Sequence, residues 1–315
     1  MGILNIRQVK KGGSKPIIGI AGTSGSGKTY TALKMARGMV SKPSEIGFID
    51  TENGRGSLYF DILDGPFQIG DLYAPFSPQR YSEAIKEFIA NGVKVLVIDS
   101  VSHEWEGEGG CDDIAQAPIL AGKKMQNWIG AKRLHKGFMN TLLYSNLPMI
   151  VCLRAREKTD FKNPKEPVSL GIQPICEKNF MFEMTASILM SDEGKRQSFL
   201  KVPSFLKPFF GNGNGYLGED TGKKILEWFN NGETEDPAIT KVKSEMLMAC
   251  EFGIVGVMAV WNKLDIKMQT KMKPNMSVYK EAGMAYDKQV LEAEETPQDG
   301  LKKTQINSSP ELNLP

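Results

Sequence analysis

Residues 22–29 read Gly-Thr-Ser-Gly-Ser-Gly-Lys-Thr. This stretch matches G-x-x-x-x-G-K-[ST] at every fixed position, which is the pattern of a phosphate-binding loop, or P-loop. Glycines let such a loop turn several backbone N–H groups toward phosphate oxygens. The pattern predicts that Lys28 reaches the β- and γ-phosphates of a nucleotide and that the Thr29 hydroxyl binds Mg²⁺. The predicted nucleotide-binding residues are Gly22, Thr23, Ser24, Gly25, Ser26, Gly27, Lys28, Thr29 and Tyr30.

The segments on either side of the loop have the pattern that a P-loop requires. Residues 16–21 read Pro-Ile-Ile-Gly-Ile-Ala, a short apolar run that is typical of a buried parallel strand. Residues 30–40 place apolar side chains at 33, 35, 36, 39 and 40, which is helical spacing. Because the order strand, loop, helix directs the amino end of the helix at an anion, we expect a nucleotide site here.

Further apolar runs extend this pattern along the chain. Strands are predicted at 45–50, 93–98 and 147–153, with helices at 81–90 and about 119–145 between them. This alternation favours an α/β fold with a mainly parallel central sheet, followed by a β-hairpin that turns at 192–195. We divide the chain into an N-terminal arm at 1–15, a core at 16–232, a small helical domain at 238–293 and a disordered tail at 294–315.

Composition excludes several classes of protein. The chain has 315 residues, of which 41% are hydrophobic, and a net charge of +2. Its four cysteines are far apart and it has only two histidines, so neither disulfide bonds nor a zinc site is expected. The longest clean apolar stretch, at 254–261, is far too short to span a bilayer. We therefore expect a cytoplasmic protein that does not bind membranes.

Acidic residues follow two of the predicted strands, where a catalytic site would form. Asp99 comes at the end of the predicted strand at 93–98. In P-loop enzymes an acidic residue at this position holds Mg²⁺ together with the threonine of the loop. Glu52 follows the strand at 45–50, and Glu104 lies shortly after Asp99. Because ligands bind at the carboxyl ends of parallel strands, both glutamates are candidates for activating the water that attacks a phosphate.

The distribution of charge is uneven. Residues 114–156 contain no aspartate or glutamate but seven lysines and arginines, and an acidic cluster directly precedes them at 104–113. A block of one sign is a candidate polyanion-binding surface. A solvated helix face would give the same pattern, so both interpretations stay open.

Four segments, in this order, resemble the core of the RecA-like recombinases. They are the P-loop, Phe-Ile-Asp-Thr-Glu at 48–52, Val-Leu-Val-Ile-Asp-Ser at 95–100 and Ile-Val-Cys-Leu-Arg-Ala-Arg at 150–156. Two longer phrases are more specific: Asp-Thr-Glu-Asn-Gly-Arg-Gly-Ser at 50–57 and Asp-Ser-Val-Ser-His-Glu-Trp-Glu-Gly at 99–107. They resemble the bacteriophage-encoded RecA-like ATPases of single-strand annealing, which are also described as AAA-type nucleotide-binding proteins. The resemblance covers roughly residues 3–230.

The resemblance implies a Mg²⁺-dependent, DNA-stimulated ATPase of phage recombination in the host cytoplasm. Such a protein binds single-stranded DNA and promotes annealing or strand pairing as a homo-oligomer. In this family the glutamate after the second strand polarises the water, which favours Glu52 over Glu104. A polar residue at the end of the fourth core strand, usually glutamine, senses the γ-phosphate, and Arg154 takes this place. The implied catalytic residues are Lys28, Glu52, Asp99 and Arg154, and the implied metal ligands are Thr29 and Asp99.

The resemblance also implies where partners bind. Its DNA-binding loops follow the third and fourth core strands, which correspond to 102–122 and 155–179. The second loop has cations spaced with an aromatic residue, and Phe180 comes just after it, a combination that suits backbone contact and base stacking. The loop residues are Arg156, Lys158, Phe161, Lys162, Lys165 and Lys178. We expect single-stranded DNA to bind loop 155–179 together with Lys123 and Lys124. Candidates for a cation supplied by a neighbouring subunit are Arg55, Lys201 and Lys207. The C-terminal helices are a candidate site for a single-strand-binding protein, a recombination partner or the next subunit, and the sequence does not choose among them.

Two other functions fit the same motifs. One is a helicase or replication-loader ATPase, which would translocate along DNA or load a partner. The other is a nucleotide-gated binding module that does not hydrolyse its nucleotide. A small-molecule kinase is disfavoured, because no arginine-rich lid follows the core at a recognisable spacing.

Overall fold

The computed structural model describes residues 14–117, 128–160, 167–230 and 237–294. Within these ranges the strands are β1 Ile17–Gly22, β2 Ile46–Asp50, β3 Gln68–Asp71, β4 Val95–Asp99, β5 Met149–Asp160, β6 Val168–Pro174, β7 Ala186–Ser191 and β8 Arg196–Lys201. The α-helices are α1 Lys28–Gly38, α2 Pro78–Ala90, α3 Ser102–Glu106, α4 Cys111–Gln116, α5 Trp128–Tyr144, α6 Phe180–Glu183, α7 Lys207–Phe210, α8 Glu219–Asn230, α9 Pro237–Ala249, α10 Gly253–Lys263, α11 Ile266–Met272 and α12 Met276–Glu294.

The strands form one sheet in the order β3-β2-β4-β5-β1-β7-β8, and β6 pairs with β5 off this path. Every pairing from β3 to β7 is parallel, whereas β7 and β8 are antiparallel. The predicted α/β fold with a mainly parallel sheet is therefore confirmed, and the antiparallel β7–β8 pair forms the hairpin predicted around 192–195.

Both faces of the sheet are covered by helices. One hydrophobic cluster combines Ile18, Ile20 and Val97 with residues of α1 and α8, and the other combines Ala21 and Ile98 with residues of α2 and α5. Alternate residues of each strand face opposite clusters. Both faces of these strands are therefore buried, which explains why their sequences are continuous apolar runs. This three-layer arrangement fixes the carboxyl ends of the parallel strands, where the candidate site lies.

Helices α1 and α8 approach each other closely at two glycines. A Cβ atom added at Gly38 would lie 1.8 Å from the carbonyl oxygen of Glu219, and one added at Gly222 would lie 1.9 Å from that of Met35. Any larger residue at either position must move the two helices apart, because backbone atoms cannot give way as a flexible side chain does. The packing of α1, which begins at the P-loop, therefore depends on both glycines.

The region predicted as a DNA-binding loop at 155–179 is not an irregular loop. Strand β5 continues to Asp160, and β6 returns antiparallel to it, with Ala155 opposite Pro174 and Asp160 opposite Val168. We did not predict this hairpin. Strand β5 is charged and exposed beyond Ala155, whereas β6 does carry a strand signal, with the apolar Val168, Leu170 and Ile172 at every second position. The segment at 102–122, predicted as the first loop, contains α3 and α4.

The chain divides into two compact units, and the division falls between Ser244 and Glu245. In the second unit α10 and α12 pack together through residues around Gly253 and Gly283. The predicted arm at 1–15, the boundary segment at 233–237 and the tail at 294–315 lie almost entirely outside the described residues.

One stretch of the described chain, Lys241–Lys263, has the length and hydropathy to cross a membrane, with a mean hydropathy of 1.4. It is not a single straight helix. Helix α9 ends at Ala249, a short 3-10 turn follows, and Gly253 has a φ of 68°. Helix α10 alone has 11 residues, whereas a spanning helix needs about 20.

Candidate nucleotide site

The P-loop joins the carboxyl end of β1 to the amino end of α1. Gly25 and Gly27 have φ values of 76° and 83°, in the left-handed region that favours glycine. A Cβ atom added at Gly27 would also lie 2.9 Å from the carbonyl oxygen of Glu193, in the turn between β7 and β8. The Nζ of Lys28 donates to the carbonyl oxygen of Thr23 at 2.9 Å, so the lysine lies across the loop that would surround a phosphate.

Thr29 and Asp99 meet at the centre of the site. The Thr29 hydroxyl donates a hydrogen bond to the Asp99 carboxylate, which is buried at the end of β4. Burial raises the pKa of Asp99 to about 6, although the Thr29 hydrogen bond and the charge of Lys28 lower it. A hydroxyl and a carboxylate oxygen are hard ligands of the kind that Mg²⁺ prefers, and a divalent cation would stabilise the buried charge. These two residues therefore fit a magnesium ion.

Glu52 lies at the same edge of the sheet, paired with Arg154. The Arg154 guanidinium donates to both carboxylate oxygens, with Nε 2.8 Å from Oε1. Burial raises the pKa of Glu52, but the Arg154 hydrogen bonds and charge outweigh it and leave the pKa below its usual value. Strand register explains the meeting, because Asp50 lies beside Asp99 and Asp99 lies beside Cys152 on β5. Glu52 and Arg154 each follow two residues later, at the same edge of the sheet. Glu52 is therefore a carboxylate at neutral pH, held at the site by a cation.

A network of polar side chains fixes the turn that carries Glu52. The Asp50 carboxylate accepts hydrogen bonds from the backbone N–H groups of Glu52 and Gly56, each at 2.6 Å. The Thr51 hydroxyl lies 3.0 Å from the Ser100 carbonyl oxygen and 2.7 Å from Nδ1 of His103. These contacts bind the end of β2 to the segment after β4. We did not predict this role for Asp50, Thr51 and His103, because the phrases that contain them carry no spacing rule of their own.

These residues surround a cavity of about 490 Å³. It is lined by Ser24, Gly25, Lys28, Thr29, Phe48, Asp50, Glu52, Arg55, Gly56, Tyr59, Asp99, Arg154, Ala155 and Ile175. All four predicted catalytic residues line it, together with part of the P-loop. Gly22, Thr23, Ser26 and Gly27 form the rest of the loop, whereas Tyr30 is 52% exposed on α1 and does not line the cavity.

Glu104, the alternative to Glu52, lies elsewhere. It is 1% exposed and does not line the cavity; its carboxylate contacts His135 and the Cys111 thiol instead. Glu104 is therefore not available to a water molecule at the nucleotide phosphates. Of the two candidate bases, the geometry places Glu52 at the site.

The structure places the remaining predicted residues as follows. Arg55 lines the cavity of its own chain, whereas the Nζ of Lys201 donates to the carbonyl oxygens of Phe182 and Met184. Lys207 begins α7 and is exposed. Phe180 is 1% exposed and stacks on Phe138 in the core, so it is not available to stack on DNA bases, whereas Phe161 lies outside the described residues. Lys123 and Lys124 lie outside the described residues.

Comparison with known protein families matches residues 14–187 to the AAA domain. The chain belongs to the AAA domain family. The matched region runs from the start of β1 into β7, so it contains the P-loop, Glu52, Asp99 and Arg154. An AAA domain binds a nucleotide and typically a divalent metal, which agrees with the oxygen ligands that this AAA domain brings together at Thr29 and Asp99.

The chain is also similar in part to two curated proteins. Over 105 residues it is 28% identical to the Signal recognition particle 54 kDa protein of Thermococcus kodakarensis, a match that covers 32% of this chain and 23% of that protein. It is also 28% identical over 100 residues to the protein of the same name from Thermococcus gammatolerans. That match covers 30% of this chain and 22% of the relative. The chain therefore spans less than a quarter of the length of these relatives.

Lys28→Ala is expected to weaken nucleotide binding roughly 30- to 100-fold, because it removes the charged donor from the phosphate groups. Titration with a fluorescent ATP analogue measures this affinity. The matched control is Lys34→Ala on the same helix, where Nζ contacts the Glu219 carboxylate 3.1 Å away and not the cavity. Equal affinities for the wild type and Lys28→Ala would exclude the P-loop as the binding site.

Proposed function

We propose that this protein is a Mg²⁺-dependent ATPase of phage DNA recombination that binds single-stranded DNA and promotes annealing or strand pairing as an oligomer. One observation carries the proposal: Glu52 and Arg154 form an ion pair inside the P-loop cavity, and Arg154 belongs to the strand that continues into an exposed hairpin. A candidate general base and a candidate DNA-binding element are therefore joined through one residue.

The residues of the cavity have complementary roles in ATP hydrolysis. Lys28 and the N–H groups of the P-loop bind the phosphates, since their charges and dipoles point into the loop. Glu52, an ionised carboxylate with a lowered pKa, orients a water molecule and accepts its proton. When bound, Mg²⁺ neutralises charge between the phosphates, and Thr29 and Asp99 would hold it.

Arg154 connects the nucleotide to the hairpin. Its side chain pairs with Glu52, and its backbone N–H donates to the Ser102 hydroxyl at 2.9 Å. The same hydroxyl donates to the carbonyl oxygen of Ile175, directly after β6. A γ-phosphate competes with Glu52 for the guanidinium, because both are anions that accept bidentate hydrogen bonds. A shift of Arg154 toward the phosphate frees Glu52 and moves the start of the hairpin.

The hairpin has the surface chemistry of a single-strand site. Arg156 and Lys158 are exposed on β5, while Val168, Leu170 and Ile172 are 59%, 45% and 42% exposed on β6. Cations contact phosphates, and exposed aliphatic side chains mark a surface that is covered by a partner. Arg156 also pairs with Glu106 at 2.8 Å, so DNA binding there must replace one ion pair by another.

Lys158→Ala is expected to weaken binding of single-stranded DNA and to lower the slope of log K against log salt by about 0.7, the loss of one phosphate contact. Fluorescence anisotropy over a salt series, with ATP and Mg²⁺ present, measures both quantities. Lys94→Ala is the control, since Lys94 precedes β4 at the opposite end of the sheet from the nucleotide. An unchanged slope for Lys158→Ala would exclude the hairpin as the contact surface.

The complete proposal is tested by phosphate release with and without single-stranded DNA, combined with light scattering of the same mixtures. We expect DNA to stimulate hydrolysis and the protein to assemble when ATP, Mg²⁺ and DNA are all present. A binding module that does not hydrolyse nucleotide would release no phosphate under any condition. A helicase or loader would hydrolyse ATP and unwind or load DNA without accelerating annealing.

A further inference from the structure

Glu104, Cys111 and His135 form a buried cluster outside the nucleotide site. They belong to three different helices, α3, α4 and α5, and are 1%, 0% and 7% exposed. Oε1 of Glu104 lies 3.0 Å from Nδ1 of His135 and 3.3 Å from Sγ of Cys111. One donor atom from each residue lies within 4.8 Å of the other two.

We propose that these three side chains bind a metal ion of the zinc class. A carboxylate oxygen, an imidazole nitrogen and a thiolate are the three donor types that Zn²⁺ accepts in proteins. Zinc–ligand bonds of about 2.0–2.3 Å place neighbouring donors of a tetrahedron roughly 3.2–3.8 Å apart. The two separations from Glu104 Oε1, 3.0 and 3.3 Å, are close to these values, and the third is within 4.8 Å, so a metal requires the side chains to rearrange around one point.

The surroundings of the cluster favour a cation at this point. Aromatic rings enclose the imidazole of His135, with the centroids of Trp105, Phe138 and Phe180 at 5.5, 6.3 and 6.1 Å. A carboxylate buried in such an apolar environment is costly unless a positive charge neutralises it. Within the described part of the chain, no fourth histidine, cysteine or acidic side chain joins the group. Three protein ligands leave one position of a tetrahedral zinc ion open to a further ligand.

The protonation state of Cys111 separates the metal-bound form from the metal-free form. Without a metal, the Cys111 thiol donates a hydrogen bond to the Glu104 carboxylate, with Sγ 3.3 Å from Oε1. A coordinating metal displaces this proton, and the thiolate then becomes a ligand. Metal binding therefore exchanges a weak hydrogen bond for a metal–sulfur bond that can be detected spectroscopically.

The proposed metal would join helices on both sides of a basic segment. Helix α4 ends at Gln116 and α5 begins at Trp128, and the residues between them include Lys123 and Lys124. Helix α3 begins shortly after Asp99. A metal bound to all three helices would link α4 and α5 to α3, which follows the strand that ends at Asp99. The proposal does not depend on the proposed function, because none of the three residues lines the nucleotide cavity.

Elemental analysis of protein purified without a histidine tag and dialysed against zinc tests the proposal. We expect about one zinc per chain, reduced to a small fraction in Cys111→Ser and His135→Gln. Cys176→Ser is the control, since this cysteine is outside the cluster, and it should keep the metal. Lys28→Ala should also keep it, which separates this site from the nucleotide site.

Cobalt substitution of the wild-type protein gives a second measurement that does not depend on how the variants fold. We expect the charge-transfer band of a cobalt–thiolate bond, and we expect it to disappear when zinc is added. A folded wild-type protein that retains no zinc and shows no such band would overturn the proposal. The cluster would then be a buried Glu104–His135 pair to which the Cys111 thiol donates.

Discussion

Glu52→Gln is expected to lower the rate of ATP hydrolysis by about 100- to 1,000-fold while changing ATP affinity less than about threefold. The amide keeps the shape of the carboxylate but cannot accept the proton of the attacking water. It also loses the charge that pairs with Arg154, so the guanidinium becomes free to contact the γ-phosphate. Steady-state phosphate release gives the rate, and equilibrium titration with a fluorescent ATP analogue gives the affinity.

Glu106→Gln is the matched control. Glu106 pairs with Arg156, two residues beyond Arg154 on the same strand, and this ion pair lies outside the nucleotide cavity. Loss of a comparable ion pair in the same region should leave hydrolysis nearly unchanged. Full activity in Glu52→Gln would contradict the assignment of Glu52 as the base, and a large loss in Glu106→Gln would show that the ion pairs act on the fold.

Asp99→Asn is expected to have opposite effects on activity and stability. Without the carboxylate the site loses a metal ligand, and hydrolysis should fall by about 100-fold or more. The metal-free protein should become more stable at neutral pH by roughly 1–3 kcal/mol, because the substitution removes a buried charge. Denaturant unfolding in the presence of a chelator measures the second effect, and phosphate release at saturating Mg²⁺ measures the first.

The sign of the stability effect follows from the pKa. Burial raises the pKa of Asp99 from 3.8 to about 6 in the folded chain. The folded state therefore binds more protons than the unfolded state in this range, and the free energy of unfolding falls as pH rises through it. Ionised Asp99 destabilises the metal-free protein above about pH 6, so the advantage of Asp99→Asn should disappear near pH 4.

Asp64→Asn is the control, because the pKa of Asp64 is lowered in the folded protein, whereas the pKa of Asp99 is raised. Its hydrogen bond with Arg37 holds the pKa of Asp64 down to about 2, and it lies on the surface away from the nucleotide cavity. This variant should keep full activity and should not be more stable than the wild type at neutral pH. If Asp99→Asn proves less stable than the wild type at neutral pH, the cost of the buried charge does not dominate the effect of Asp99 on the free energy of unfolding.

The central sheet could be predicted from the sequence because its strands are buried on both faces. Runs such as 93–98 contain almost nothing but apolar residues, and each lies between turn residues and a helical pattern. The β5–β6 hairpin could not be predicted in this way. Residues Arg156 to Lys158 of β5 are exposed and charged and are held by backbone pairing with β6, so the periodic signal is confined to the short run of β6 that carries Val168, Leu170 and Ile172.

The candidate site was predictable where a short motif specifies it. The P-loop and the residues that end β2 and β4 meet because parallel strands end at one edge of the sheet. The choice between Glu52 and Glu104 could not be made from spacing alone, since both follow a strand. Nor could the meeting of Glu104 with Cys111 and His135 be predicted, because the packing of three helices brings together residues that are far apart in the chain.

The coupling of ATP hydrolysis to DNA binding is tested by the rate of phosphate release from ATP in the presence of Mg²⁺. The rate is measured for the wild type and Glu52→Gln, each with and without single-stranded DNA. We predict that DNA accelerates hydrolysis by the wild type and that Glu52→Gln stays near background in both conditions although it still binds ATP. A wild-type rate that single-stranded DNA does not change would contradict the proposed coupling of the nucleotide to the hairpin through Arg154.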